Sequence, residues 1–226
     1  VVGIAVSARM DLLDDAARRG ARAASLIEGG FGITSLVLMF VGAIVLGATA
    51  GSVDLQRGVV RDLVLAGRPR WRIVVGRLLG AAAWLVLALA VSMGLVVVLA
   101  LVLTPYAAHV DSQELLRHVA LTTYPLVYVL PLAAGIAMLV GSRGPAIAVY
   151  FVVAPLVDNV LVALPKVGEW WSEVSLGQAD ARVNAWIQDV PVGIDDMGVS
   201  RAVATLLVWG VGAFVVGTWR FSRRDL

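Results

Sequence analysis

One carboxylate stands inside a long apolar segment of this sequence. Asp158, followed by Asn159, lies in VYFVVAPLVDNVLVALP, which runs from 149 to 165. A charged side chain inside a bilayer is costly, so this one must face a helix bundle, a partner or water, or take up a proton. The pair therefore has two interpretations. It is part of a substrate path or gate, or it is a polar contact between packed helices close to the membrane surface.

Residue patterns typical of enzymes are not found in this sequence. The histidines, His109 and His118, occur without an H-E-x-x-H pattern, there is no Gly-x-Ser-x-Gly turn, and there is no cysteine. The sequence also has no G-x-x-x-x-G-K-[ST] phosphate-binding loop. We therefore expect no catalytic residue, cofactor or metal in this chain, and any ATP that is used would bind to another chain.

The composition is that of a protein largely dissolved in lipid. The residues are 60% hydrophobic and 15% charged, whereas soluble domains have about 25% charged residues. The mean hydropathy is +0.89. The net charge of +2 is small, so no nucleic-acid partner is expected.

Hydropathy predicts an all-α, polytopic transmembrane helical bundle that forms a single domain over residues 1–226. Apolar segments long enough to cross a bilayer, which takes about 20 residues, lie at 31–50, 78–104, 119–141, 145–164 and 202–219. The opening VVGIAVSA is interpreted as the outer end of a sixth, N-terminal span. Several glycines offer small surfaces for helix packing or for a dimer seam: Gly80, Gly94, Gly135, Gly210, Gly212 and Gly217.

The distribution of arginines predicts the orientation. They concentrate in the loop 51–77, at the turn 141–144 and in the tail after 219, whereas the loops 105–118 and 165–200 hold few basic residues. The positive-inside rule puts the first group, and with it the C-terminus, in the cytoplasm. The outer loop 165–200 mixes tryptophans with acidic residues, which favours re-entrant or interfacial helices.

The basic loop contains a short amphipathic segment at 54–67. In DLQRGVVRDLVLA, residues 54–66, apolar residues including Leu63 recur on one helical face, while Arg57 and Arg61 are one turn apart on another. Gly67 and Pro69 would end this helix. Such a helix either docks on a soluble partner or simply lies on the membrane surface.

A longer stretch of this loop is more specific evidence of function than the amphipathic pattern alone. GSVDLQRGVVRDLVLAGRPRWRIVVGRLLGA, residues 51–81, resembles the cytoplasmic loop and following helix of ABC-2 type transporter permeases. That family has an acidic residue, a Gly-Thr pair, a basic cluster and a later basic residue. Asp54 and Gly58 match the first two positions, but Val59 replaces the threonine and Arg77 stands where lysine is common. The likeness covers roughly residues 31–226, mostly by pattern.

The resemblance implies the transmembrane permease subunit of a bacterial ABC exporter in the cytoplasmic (inner) membrane. Two separate ATPase subunits would bind ATP and magnesium, and a second permease, identical or different, would complete a dimer in the lipid. The cargo would be a lipid, a peptide or a hydrophobic drug-like molecule. The alternative is a non-transporting immunity, sensor or assembly protein that recruits another partner. By resemblance, the ATPase-coupling residues are Asp54, Arg57, Gly58, Arg61, Leu63, Arg68, Arg70 and Arg72.

Overall fold

The computed structural model describes residues 40–57, 70–103, 112–190 and 198–223, and it is 93% helical without strands in that part of the chain. The all-α prediction is thus confirmed. The helices are α1 (Ala43–Arg57), α2 (Arg70–Leu103), α3 (Ser112–Val140), α4 (Arg143–Ala148), α5 (Ala154–Ala163), α6 (Val167–Val174), α7 (Leu176–Gln188) and α8 (Val199–Ser222), with a π-helical turn at Val149–Val153 between α4 and α5.

In the described part of the chain, four helical segments are long and apolar enough to cross a membrane: Trp71–Leu99, Leu115–Val140, Arg143–Ala163 and Val199–Ser222. The chain therefore has the character of a membrane protein. These segments correspond to the last four predicted spans. A shorter apolar helix, Phe40–Ser52, corresponds to the second half of the predicted span 31–50. The remainder of that span and the proposed sixth span lie outside the described residues.

Helix α3 is the central helix. In its most apolar stretch 61% of the residues are buried within the protein, whereas the other three spanning segments reach 17%, 6% and 17%. Small residues allow α1 and α8 to approach its backbone. A Cβ added at Gly47 of α1 would lie 2.6 Å from the Leu130 carbonyl oxygen, and one at Gly210 of α8 would lie 2.9 Å from Tyr128 Cα. Glycine at these positions permits close backbone packing of the kind common between membrane helices.

The contacts also fix how the helices run. Gly210 and Gly217 of α8 meet Tyr128 and Gly135 of α3 in the same order, so these two helices are parallel. Helix α2 is antiparallel to α3, because Val74 packs near the end of α3 whereas Leu89 and Met93 pack near its start.

One end of the bundle therefore collects the start of α2, the end of α3, the start of α4 and the end of α8. We call it the arginine end. The arginines in these terminal turns are Arg70, Arg72, Arg77, Arg143, Arg220 and Arg223.

At the opposite end, α6 and α7 form a helical hairpin within the predicted outer loop 165–200. The hairpin is fastened to α8 by two contacts. Trp209 Nε1 donates a hydrogen bond of 2.8 Å to the Val174 carbonyl oxygen, and Arg201 pairs with Glu173 at 2.6 Å. This segment thus contains two short helices that rest on the spanning helices, and their re-entrant or interfacial position stays a prediction.

The span from Arg143 to Ala163 changes character half-way. In its first part Ala146 packs with Ala48 and Ala137. The π-helical turn then precedes Pro155, which lacks the N–H needed to continue the regular ladder. Beyond the turn the helix faces outward, with Leu156 63% exposed. This departure from α3 leaves room for a cavity.

Candidate functional site

A cavity of about 590 Å³ lies where α5 leaves α3, and the hairpin and α8 complete its wall. Its lining is mostly apolar and aromatic, with Phe40, Trp171 and Trp209 among the contributors. The polar groups on its wall come from four different elements. They are Tyr128, Tyr150, Asp158, Asn159, Gln178 and Asp180.

Asp180 is held by two tyrosines of α3. The hydroxyls of Tyr124 and Tyr128 donate hydrogen bonds of 2.7 Å and 2.5 Å to Asp180 Oδ1. The tyrosines are one helical turn apart and therefore lie on one face of α3. The half-buried carboxylate thus ties α7 to the central helix and presents its charge at the cavity wall.

Asp158 is held by the hairpin. Trp171 Nε1 donates a hydrogen bond of 2.7 Å to Asp158 Oδ1, and the Ser175 hydroxyl donates at 2.7 Å to the same oxygen. Ser175 also caps the start of α7, because its hydroxyl accepts a bond from the Gln178 N–H. The carboxylate therefore lies beside the N-terminus of α7.

This geometry bears on both interpretations of the Asp158–Asn159 pair. The hydrogen bonds from the hairpin to Asp158 are what a polar contact between packed helices would show. The position of Asp158 on the cavity wall is what a residue of a substrate path would show. Asn159 does not share these partners, since its amide donates a bond of 2.8 Å to the Pro155 carbonyl one turn earlier. A role for the pair in a path or gate remains a prediction.

The charged side chains that line the cavity in the described part of the chain are all acidic. Two carboxylates line it, and none of its described lining residues is basic. Their hydrogen-bond donors named above are tyrosine, tryptophan and serine, which are neutral. Elsewhere in the described residues, no group of three or more His, Cys, Asp or Glu side chains is placed to hold a metal ion. The arrangement is one that can bind a ligand, with the sign of the charge favouring a cation.

The predicted coupling residues are only partly described. Asp54 and Arg57 complete α1 without a break from the preceding apolar turns, and Arg70 and Arg72 begin α2. Arg72 lies over the exposed Trp71 ring at 5.4 Å from its centroid. Gly47 and Gly51 of α1 meet Leu130 and Ala134 of α3 in the same order, so α1 is parallel to α3 and its last turn lies at the arginine end together with the start of α2. The residues that fall outside the described part are Gly58, Arg61, Leu63 and Arg68.

Comparison with known proteins adds no relative. No family model, curated protein or solved structure matches this chain. The likeness to ABC-2 permeases therefore depends on the residues quoted above, and function has to be argued from those residues and from the geometry.

Sequence reasoning missed the tyrosine–aspartate contact. Asp180 was read only as one of several acidic residues in an outer loop. A signal was nevertheless present, because Asp180 stands among Leu176, Ala179 and Val183, whose spacing predicts a helical face that packs on other helices. An acid on such a face needs polar partners on the element it meets.

Proposed function

We propose that this chain is the transmembrane permease subunit of an ABC-2 type exporter, driven by separate ATPase subunits. The observation that carries the proposal is the string at 51–81, whose residues match the family's cytoplasmic loop and following helix. The match includes the acidic Asp54, the glycine Gly58 and the basic cluster that ends at Arg72.

The fold supports this reading. The segment that joins α1 to α2 begins and ends at the arginine end, where α2 starts with Arg70 and Arg72, α4 starts at Arg143 and α8 ends with Arg220 in its last turn. By the positive-inside rule this end would face the cytoplasm, together with the C-terminus. A soluble ATPase would then meet the joining segment, the α3–α4 turn and the end of α8 on one face.

A cavity among the helices further favours transport. A polytopic bundle that only anchors needs no open volume between its helices, whereas a permease must hold its cargo. In the proposed cycle, closure of two ATP-bound ATPases presses on the coupling segment and tilts α1 and α2. A second permease, identical or different, lies beside this one in the bacterial cytoplasmic membrane.

The test is affinity purification of the full-length protein from its native host in mild detergent, followed by mass spectrometry of the chains that copurify. We expect recovery of an ATPase with a phosphate-binding loop. We expect its loss on Leu63→Asp or Gly58→Pro, because both changes disturb the proposed docking helix. Ser200→Asp is the control, since it adds the same charge at an exposed position at the start of α8, the end of the bundle opposite to the proposed docking face.

Two results would contradict the proposal. Undiminished ATPase recovery with Leu63→Asp and Gly58→Pro would remove the coupling role of these residues. Absence of any ATPase from wild-type protein that is shown to be folded would favour a non-transporting sensor, immunity or assembly protein.

A further inference from the structure

We propose that the cavity between α3, α5 and the α6–α7 hairpin binds a monovalent organic cation with an apolar body. Such binding needs no ATPase, so the proposal does not depend on the transport function proposed above. If the chain is a permease, the site names the chemical class of its cargo.

The size and the lining of the cavity suit a small organic ligand. Its volume of about 590 Å³ lies within the range of roughly 300–1,000 Å³ that is typical of small-molecule sites. Most of the wall is apolar, with a few polar groups that converge from different helices. That combination holds an apolar body by burial and orients it through the polar groups.

The charge on the wall selects the sign of the ligand. Asp158 and Asp180 both contribute carboxylates, and none of the described lining residues offsets them with a basic group. The hydroxyls of Tyr124 and Tyr128 and the Trp171 and Ser175 donors stabilise these carboxylates without neutralising them. A cation would supply the missing positive charge, and an anion of the same size would be repelled.

Aromatic rings on the same wall favour an organic cation over a metal ion. Tyr128, Tyr150, Trp171 and Trp209 line the cavity, and the faces of such rings attract organic cations while they also contact apolar groups. A small metal ion would need several oxygen ligands close around it. An alkyl- or aryl-substituted ammonium or phosphonium ion matches the volume, the rings and the charge together.

A pair of probes of nearly equal size and opposite charge tests the proposal. Tetraphenylphosphonium is a cation and tetraphenylborate an anion, and in both the charge is enclosed by four phenyl groups. Equilibrium dialysis of purified, detergent-solubilised full-length protein measures binding of each, and only saturable binding counts. We expect saturable binding of the phosphonium, displaced by unlabelled tetrabutylammonium, and no saturable binding of the borate.

Variants locate the binding site. We expect Asp180→Asn to weaken phosphonium binding by about tenfold or more, because it removes the charge and keeps an oxygen that accepts from the tyrosines. Asp189→Asn is the matched control, since Asp189 is exposed and pairs with Arg117 away from the cavity lining. Asp158→Asn replaces Asp180→Asn if the latter lowers the melting temperature below the assay temperature.

The results separate this proposal from the one on transport. Equal saturable binding of both probes, or unchanged phosphonium binding in both Asp158→Asn and Asp180→Asn, would overturn the cation site. The competition between ions on wild-type protein decides the matter even if every variant fails to fold. A protein that binds the cation but recovers no ATPase would keep the site and lose the permease function.

Discussion

Two glycines of α8, two residues apart, should respond oppositely to the same substitution. Gly210 is buried against α3, and a Cβ there would lie 2.9 Å from both the Cα and the carbonyl oxygen of Tyr128. Ordinary contact begins at 3.4 Å, so the helices must separate by about 0.5 Å, and backbone atoms cannot rotate away. Gly212 has no neighbouring atom within 4 Å of the corresponding position.

Overpacking of this kind lowers the free energy of unfolding by about 1–3 kcal/mol. Replacement of a helical glycine by alanine raises it by about 0.5–1 kcal/mol, because alanine favours the helix. The mid-range values leave Gly210→Ala destabilised by about 1 kcal/mol net, within bounds of roughly 0 and 2.5 kcal/mol. One kcal/mol lowers the melting temperature by roughly 2–4 °C for a chain of this length. Gly212→Ala should leave the melting temperature unchanged or raise it by a few degrees. Tryptophan fluorescence during heating in detergent measures both, and equal melting temperatures for the two variants would refute the α3–α8 packing.

Two further predictions concern the tyrosine–aspartate contact and the orientation of the chain. Tyr128→Phe removes a hydrogen bond to the Asp180 carboxylate and should lower the free energy of unfolding by about 1.5–3 kcal/mol; Tyr124→Phe should lower it less, because Tyr124 is less buried. The same thermal assay compares them, and a stability of Tyr128→Phe equal to wild type would contradict the contact. The sequence has no cysteine, so Ser142→Cys and Ser172→Cys give single labelling sites at opposite ends of the bundle. In intact spheroplasts a membrane-impermeant maleimide should label the Ser172→Cys protein alone, whereas labelling of both or of the Ser142→Cys protein alone would reject the proposed orientation.

The helical class and the last four apolar segments could be predicted from the sequence, because burial in lipid imposes long apolar runs whatever the helices pack against. The residues at which the helices begin and end were less predictable. The predicted second span begins at 78, but α2 starts at Arg70, so Arg70, Arg72 and Arg77 lie on the helix itself. Hydropathy marks only the apolar part of a helix. The helix can continue beyond that part through arginines, because their long side chains let the charged groups reach water.

The glycines show that the sequence pattern alone does not predict which face of a membrane helix packs against a neighbour. Six glycines were predicted to provide surfaces for helix packing or a dimer seam. Within this chain Gly210 and Gly217 touch the backbone of α3, whereas Gly80, Gly94 and Gly212 have open space beside them. All stand in similar apolar surroundings in the sequence. Which face of a helix meets a neighbour depends on tertiary packing, and hydropathy is nearly uniform around a membrane helix.

One of the two carboxylates of the candidate site could be predicted from the sequence. Asp158 stood out because it interrupts an apolar run, and its partners Trp171 and Ser175 follow within the next loop. Asp180 did not stand out, because its partners, Tyr124 and Tyr128, precede it by 56 and 52 residues. Contacts at such separations are set by the fold and leave little local signal.

The most direct test of the proposed permease function is the rate of ATP hydrolysis by the purified ATPase after it is mixed with the permease in lipid nanodiscs, compared between wild-type permease and Leu63→Asp. If residues 54–67 couple the two subunits, the wild-type complex should hydrolyse ATP at a rate that differs from that of the isolated ATPase. The Leu63→Asp protein should leave the ATPase at its isolated rate. A normal, permease-dependent rate with Leu63→Asp would contradict the coupling mechanism.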